Sequence, residues 1–124
     1  LELIGFSGGG AVAVLVSARR SDVSRIRTVA GNLDHKIWTQ HHKVDVLRGS
    51  LNAADVAKQI ADIPQVHYVG GMDEIMGRYV AESFRSKAGR DACIKIETIA
   101  GATHSKGWDQ VWSDLIAEAI PDCL

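Results

Sequence analysis

The opening stretch, Leu1-Glu2-Leu3-Ile4-Gly5-Phe6-Ser7-Gly8-Gly9-Gly10-Ala11-Val12-Ala13-Val14, constrains this chain more than any other. An apolar run of strand length meets a serine between glycines, then small residues that suit a helix. Gly5, Ser7 and Gly9 fit G-x-S-x-G, a strand–turn–helix that lifts a serine hydroxyl clear of a sheet. Such a turn strains the serine backbone. It also brings the residues two before and two after close together, where glycine avoids a side-chain clash. The helix that follows aims its positive end, and the N–H of Gly8, at an oxygen held there. Two other readings stay open. Gly8-Gly9-Gly10-Ala11-Val12-Ala13 also fits G-x-G-x-x-A, a dinucleotide-binding loop. Glycines with a capping serine also occur at tight strand–helix junctions that bind nothing.

A chain of 124 residues is one domain or part of one. Its net charge is -1, with both signs mixed along the chain and no basic block, so no nucleic-acid or acidic-polymer partner is expected. No apolar run is long enough to span a membrane. No charged segment followed by an apolar leader is visible. Because residue 1 already lies in an expected strand, that absence carries no information. Cys93 and Cys123 have no metal-ligand spacing; Cys93 reads as a buried strand residue and Cys123 as a tail residue, and their pairing is left open.

Taken in order, residues 1–6 read as a fully buried strand and 8–20 as a helix, apolar all round and therefore packed on several sides. Arg19 and Arg20 would close it. A second strand covers 26–31. Residues 32–64 are less regular, with Trp38, His35, His41 and His42, and a helix over 53–61 that Asn52 and Asp55 would cap. A third strand covers 66–71; residues 71–74 turn the chain, and a helix then runs to about residue 87. A fourth strand covers 93–99. A last helix carries Trp108, Val111, Trp112, Leu115, Ile116 and Ala119 until Pro121 stops it. Strand–helix repeated four times predicts an α/β fold: a parallel sheet with right-handed crossovers and helices on both faces. Ligands in such sheets sit beyond the carboxyl ends of the strands. Ser7, Asp34, Asp73 and His104 each follow a strand, so all four fall at one edge.

A serine alcohol is a poor nucleophile at neutral pH. It needs a base within hydrogen-bond reach and a carboxylate to orient the base. The order Ser7, Asp73, His104 supplies all three, each just past a strand. Asp34 is the alternative acid, and Glu74 a weaker one. Taken singly, an aspartate in a turn or a histidine in a loop is commonplace; the joint placement carries the signal.

Gly5-Phe6-Ser7-Gly8-Gly9, Ala30-Gly31-Asn32-Leu33-Asp34, Val69-Gly70-Gly71-Met72-Asp73 and Gly101-Ala102-Thr103-His104 together resemble the second half of a bacterial α/β-hydrolase. The resemblance covers nearly the whole chain. It implies the carboxyl-terminal part of one α/β-hydrolase domain over residues 1–124, with 32–64 where a lid or cap often sits and Trp38 as a wall of an acyl pocket. It further implies a serine hydrolase acting on a small ester, thioester or amide. Ser7 would be the nucleophile, His104 the base, Asp73 its carboxylate and the N–H of Gly8 an oxyanion donor, with no cofactor. The partners implied are a small-molecule acyl substrate and an amino-terminal half of the same protein. That half would carry the first strands and the second oxyanion donor, so these residues alone are expected to be inactive. Nothing in the sequence chooses between a bacterial cytoplasm and a periplasm.

His35, His41 and His42 would interest a zinc ion, but only Asp34 and Asp45 lie near, so no metal is expected. His67, inside a strand, reads as a core or edge residue. Two competing functions remain at this stage. A nucleotide-binding module would use the loop over 8–13, with Asp34 on the ribose. A non-catalytic relative would keep the fold as a binding surface.

Overall fold

The computed structural model describes residues 1–121 and 123. Four strands, β1 (Glu2–Phe6), β2 (Arg25–Val29), β3 (Gln65–Gly70) and β4 (Ile94–Ile99), form one parallel sheet in the order β1-β2-β3-β4. Phe6 lies beside Val29 and Gly70 beside Ile99, so the strands end along one rim. Between them run helices α1 (Gly8–Ser17), α2 (His35–His42) and α3 (Arg78–Ala88), and α4 (Trp112–Ala117) follows β4.

The period of two along the strands sorts side chains into two cores. Ile26 of β2 and Val69 of β3 join Val14 of α1 and Val80 and Phe84 of α3 on one face. Val29, Val66 and Tyr68 join Trp108 and Leu115 on the other. β3 is buried from end to end, as expected of a strand covered on both faces. The expected parallel α/β architecture is therefore present.

Several sequence expectations are corrected. β1 is an edge strand among the described residues, not a fully buried one: Ile4 is 45% and Phe6 49% exposed. Likewise α1 buries Gly10, Ala13, Val14 and Ser17 but leaves Val12 57% exposed, because nothing described covers its outer side. Arg20 lies beyond the end of α1 and pairs with Asp22. Over 53–61 only a short 3-10 helix forms, Ala53–Val56. Asn52 does not cap it, because its carboxamide accepts from the His35 N–H and donates to Asp34. The helix expected directly after residue 74 begins at Arg78, since the Asp73 carboxylate gathers the Ile75 and Met76 N–H groups into a turn first. The final helix is confined to Trp112–Ala117; the Trp108 indole is instead tied to the Thr103 carbonyl. Cys93 and Cys123 form a disulfide with a Cα–Cα distance of 5.7 Å. Among the described residues no helix is long and apolar enough to cross a membrane.

Candidate active site

Ser7 sits between β1 and α1 at φ 53°, ψ -121°, a positive-φ conformation that non-glycine residues rarely adopt. Its neighbours hold it there. The Ser7 N–H donates to the Val29 carbonyl at 2.9 Å, and its own carbonyl accepts from Gly10 and Asn32 at 3.0 and 3.1 Å. A Cβ on Gly5 would run into the Gly9 carbonyl and lie 2.7 Å from the Gly10 nitrogen. That is the steric reason the motif begins with glycine.

The loops after β3 and β4 meet through another glycine. A Cβ on Gly70 would stand 2.6 Å from the Ala102 carbonyl oxygen and 2.9 Å from that of Thr103. The Met72 N–H donates to Ala102 at 2.9 Å. This close approach brings residues 73 and 104 side by side. The Ser7 hydroxyl lies 3.0 Å from Nε2 of His104, and Nδ1 of His104 lies 2.9 Å from Oδ2 of Asp73. The other Asp73 oxygen, Oδ1, accepts from the Ile75 and Met76 N–H groups at 2.8 and 2.7 Å. The Asp73 side chain is fully buried and that of His104 is 17% exposed. A carboxylate on Nδ1 holds the proton there, which leaves Nε2 as an acceptor for the serine O–H. Gly8 opens α1 directly after Ser7 and is exposed.

Asp34, the alternative acid, is not at His104. It is the N-cap of α2 and is fully buried, with Asn52 on Oδ1 and Ser83 and Lys87 on Oδ2 at 2.7 and 2.6 Å. Burial alone would raise its pKa; the hydrogen bonds from Lys87, Asn52 and Ser83 outweigh that and hold it below the ordinary value. With its oxygens engaged it has nothing to offer a ribose, and the dinucleotide reading loses its acid. Trp38, expected as a pocket wall, donates its indole N–H to the Ile75 carbonyl at 2.8 Å. His41 stacks on Tyr79, His42 reaches the Ile75 carbonyl, and His35 lies 3.1 Å from the Ser50 carbonyl. Among the described residues no three metal-ligating side chains converge. His67 is buried between Thr28 and Gln65, and burial pushes its pKa down to about 3.

A cleft of about 360 Å³ opens beside His104, lined by Met72, Glu74, Ile75, Thr103 and Ser105. The imidazole also packs against the Phe6 ring, 5.5 Å between centroids. Sequence reasoning missed these lining residues; their only signal was adjacency to Ser7, Asp73 and His104.

No family model matches the sequence. No curated protein matches it either. Solved structures match by shape. The esterase domain of a Rhodothermus marinus protein superposes with a TM-score of 0.67 at 21% identity, over 92% of this chain and 57% of that one. The chain has the α/β-hydrolase fold. A Pyrococcus furiosus esterase matches with a TM-score of 0.69 at 13% identity, over 93% of this chain and 51% of the other. A Paleococcus ferrophilus monoacylglycerol lipase does so with 0.64 at 13%, over 93% and 65%. The chain thus spans less than two thirds of each α/β hydrolase it resembles here.

Proposed function

We propose that this α/β-hydrolase chain carries the triad of a serine hydrolase that cleaves a small ester, thioester or amide through an acyl-enzyme. The observation that supports it is the unbroken chain of hydrogen bonds from Ser7 through His104 to Asp73. In the first half-reaction the Ser7 oxygen attacks the acyl carbon while its proton passes to Nε2 of His104. The imidazolium, steadied by the Asp73 carboxylate on Nδ1, then protonates the leaving alcohol, thiol or amine. Water repeats the sequence on the acyl-enzyme and frees Ser7. The N–H of Gly8, at the positive end of α1, is suited to the oxyanion.

The same reading makes residues 1–124 the carboxyl-terminal part of one domain, with an amino-terminal part lying against β1. The exposed Ile4 and Phe6 of β1 support it. A second oxyanion donor would come from there. Loss of one donor lowers turnover by about 10²–10³, so these residues alone would be nearly inactive.

The test is covalent. A fluorophosphonate probe added to the full-length protein should label the peptide containing Gly5–Gly9, and Ser7→Ala should abolish the adduct. Labelling at another residue, or none in a folded protein, overturns the proposal.

A further inference from the structure

The acid loop is gripped from outside by a helix that contributes nothing to the triad. Trp38 and His42 lie four residues apart on α2, and so on one face. Their rings pack at 4.7 Å. Both aim a ring nitrogen at a single atom, the carbonyl oxygen of Ile75: Trp38 Nε1 at 2.8 Å and His42 Nε2 at 3.0 Å. The indole is a donor only, and a histidine near a carbonyl oxygen must present its N–H. That carbonyl belongs to the planar Ile75–Met76 peptide, whose N–H, on Met76, donates to Oδ1 of Asp73 at 2.7 Å. Asp73 uses its other oxygen on His104. A single rigid peptide unit therefore separates the two α2 side chains from the carboxylate. Donors on its oxygen also polarise it and strengthen its N–H as a donor.

We propose that Trp38 and His42 are positioning residues, which hold the Ile75 carbonyl and thereby fix the Asp73 carboxylate against His104. The proposal rests on the reading of Ser7, His104 and Asp73 as a triad. It gives α2 a task in the reaction: a brace for the acid loop. The brace is itself anchored, because Asp34 at its N-cap is bonded to Ser83 and Lys87 of α3. Two donors on one acceptor make the clasp redundant, so either one retains part of the function.

The experiment uses the full-length protein and a chromogenic short-chain ester, with Ser7 labelling by a fluorophosphonate as a parallel readout. Trp38→Phe keeps an aromatic ring and removes the N–H; His42→Ala removes the second donor. The double variant is expected to lower kcat about tenfold, more than the product of the single effects, with KM nearly unchanged. In the Trp38→Phe background, His42→Gln restores an N–H at the same reach and should recover most of the loss. Wild-type kcat in the double variant overturns the proposal, as does a deficit confined to KM or one that glutamine fails to relieve. Should the double variant not fold, Trp38→Phe alone decides: a loss of about threefold in kcat supports the brace and no change refutes it. If the wild-type protein labels at Ser7 but the variants are indistinguishable from it, only the brace fails. If the wild type does not label at Ser7, the triad fails and the brace with it.

Discussion

Two aspartates that each follow a strand meet opposite fates, and the difference lies in the donors around them. Asp73 divides its oxygens between two backbone N–H groups and His104. Asp34 spends all of its capacity on Asn52, Ser83, Lys87 and the N-terminus of α2. Asp73→Asn should lower kcat by about 10³–10⁴, because the amide no longer holds the productive tautomer of His104. Asp34→Asn should lower kcat by no more than the roughly tenfold expected of a slackened α2, and lower stability by about 1–2 kcal/mol, measured by urea unfolding. The reverse pattern would reassign the acid. His67 makes a prediction about pH. Its folded pKa, about 3, lies below the ordinary 6.5. Between those values the unfolded chain binds a proton that the folded chain refuses. Stability from this group is therefore complete above pH 6.5 and falls as pH drops toward 3, by up to about 1.4 kcal/mol per pH unit. In His67→Gln that component of the acid slope should vanish from unfolding curves collected across the range.

At the scale of elements, one buried arginine ties the sheet to the last helix. Arg27 of β2 is 3% exposed. It donates to Glu2 of β1, to the Tyr68 hydroxyl of β3, and to the Leu115 and Glu118 carbonyls at the end of α4. Burial works to lower its pKa, and the bonds to Glu2 and Tyr68 overcome that, so it stays charged. The guanidinium also meets the negative end of α4, where a cation is favoured. Arg27→Met should destabilise the fold by about 3 kcal/mol, since it leaves the Leu115 and Glu118 carbonyls and the Tyr68 hydroxyl without their buried donor. Hydrogen exchange should quicken most in residues 112–117, with β3 remaining protected. Uniform loss of protection would show that the arginine supports the whole core rather than α4. The periodicity of the last helix was visible in sequence, but its start was not. Trp108 has helical spacing, yet its indole N–H finds the Thr103 carbonyl, and that loop bond halts the helix short of residue 108.

For the whole molecule, β1 presents an unpaired outer edge with exposed apolar side chains. Ile4 and Phe6 are about half exposed and line a groove of about 330 Å³ with Val29, Trp108 and Trp112. An unpaired edge strand with apolar neighbours invites pairing with another chain. The isolated 124-residue chain should self-associate in sedimentation experiments, and Ile4→Lys, which places a charge on that edge, should shift it toward monomer. A monodisperse monomer without the substitution would refute the expectation.

The sequence by itself determined the parallel α/β architecture, the turn at Ser7, and the fact that Ser7, Asp34, Asp73 and His104 fall at one rim. These follow from hydrophobic period, glycine placement and strand–helix alternation, all local properties. Only the tertiary structure decided which acid reaches His104. That choice depends on Gly70 admitting the loop after β4, and on Ser83 and Lys87 drawing Asp34 away to α3. It also decided that the Trp38 indole meets the acid loop, because a donor on α2 and an acceptor 37 residues later are neighbours only once the sheet has formed.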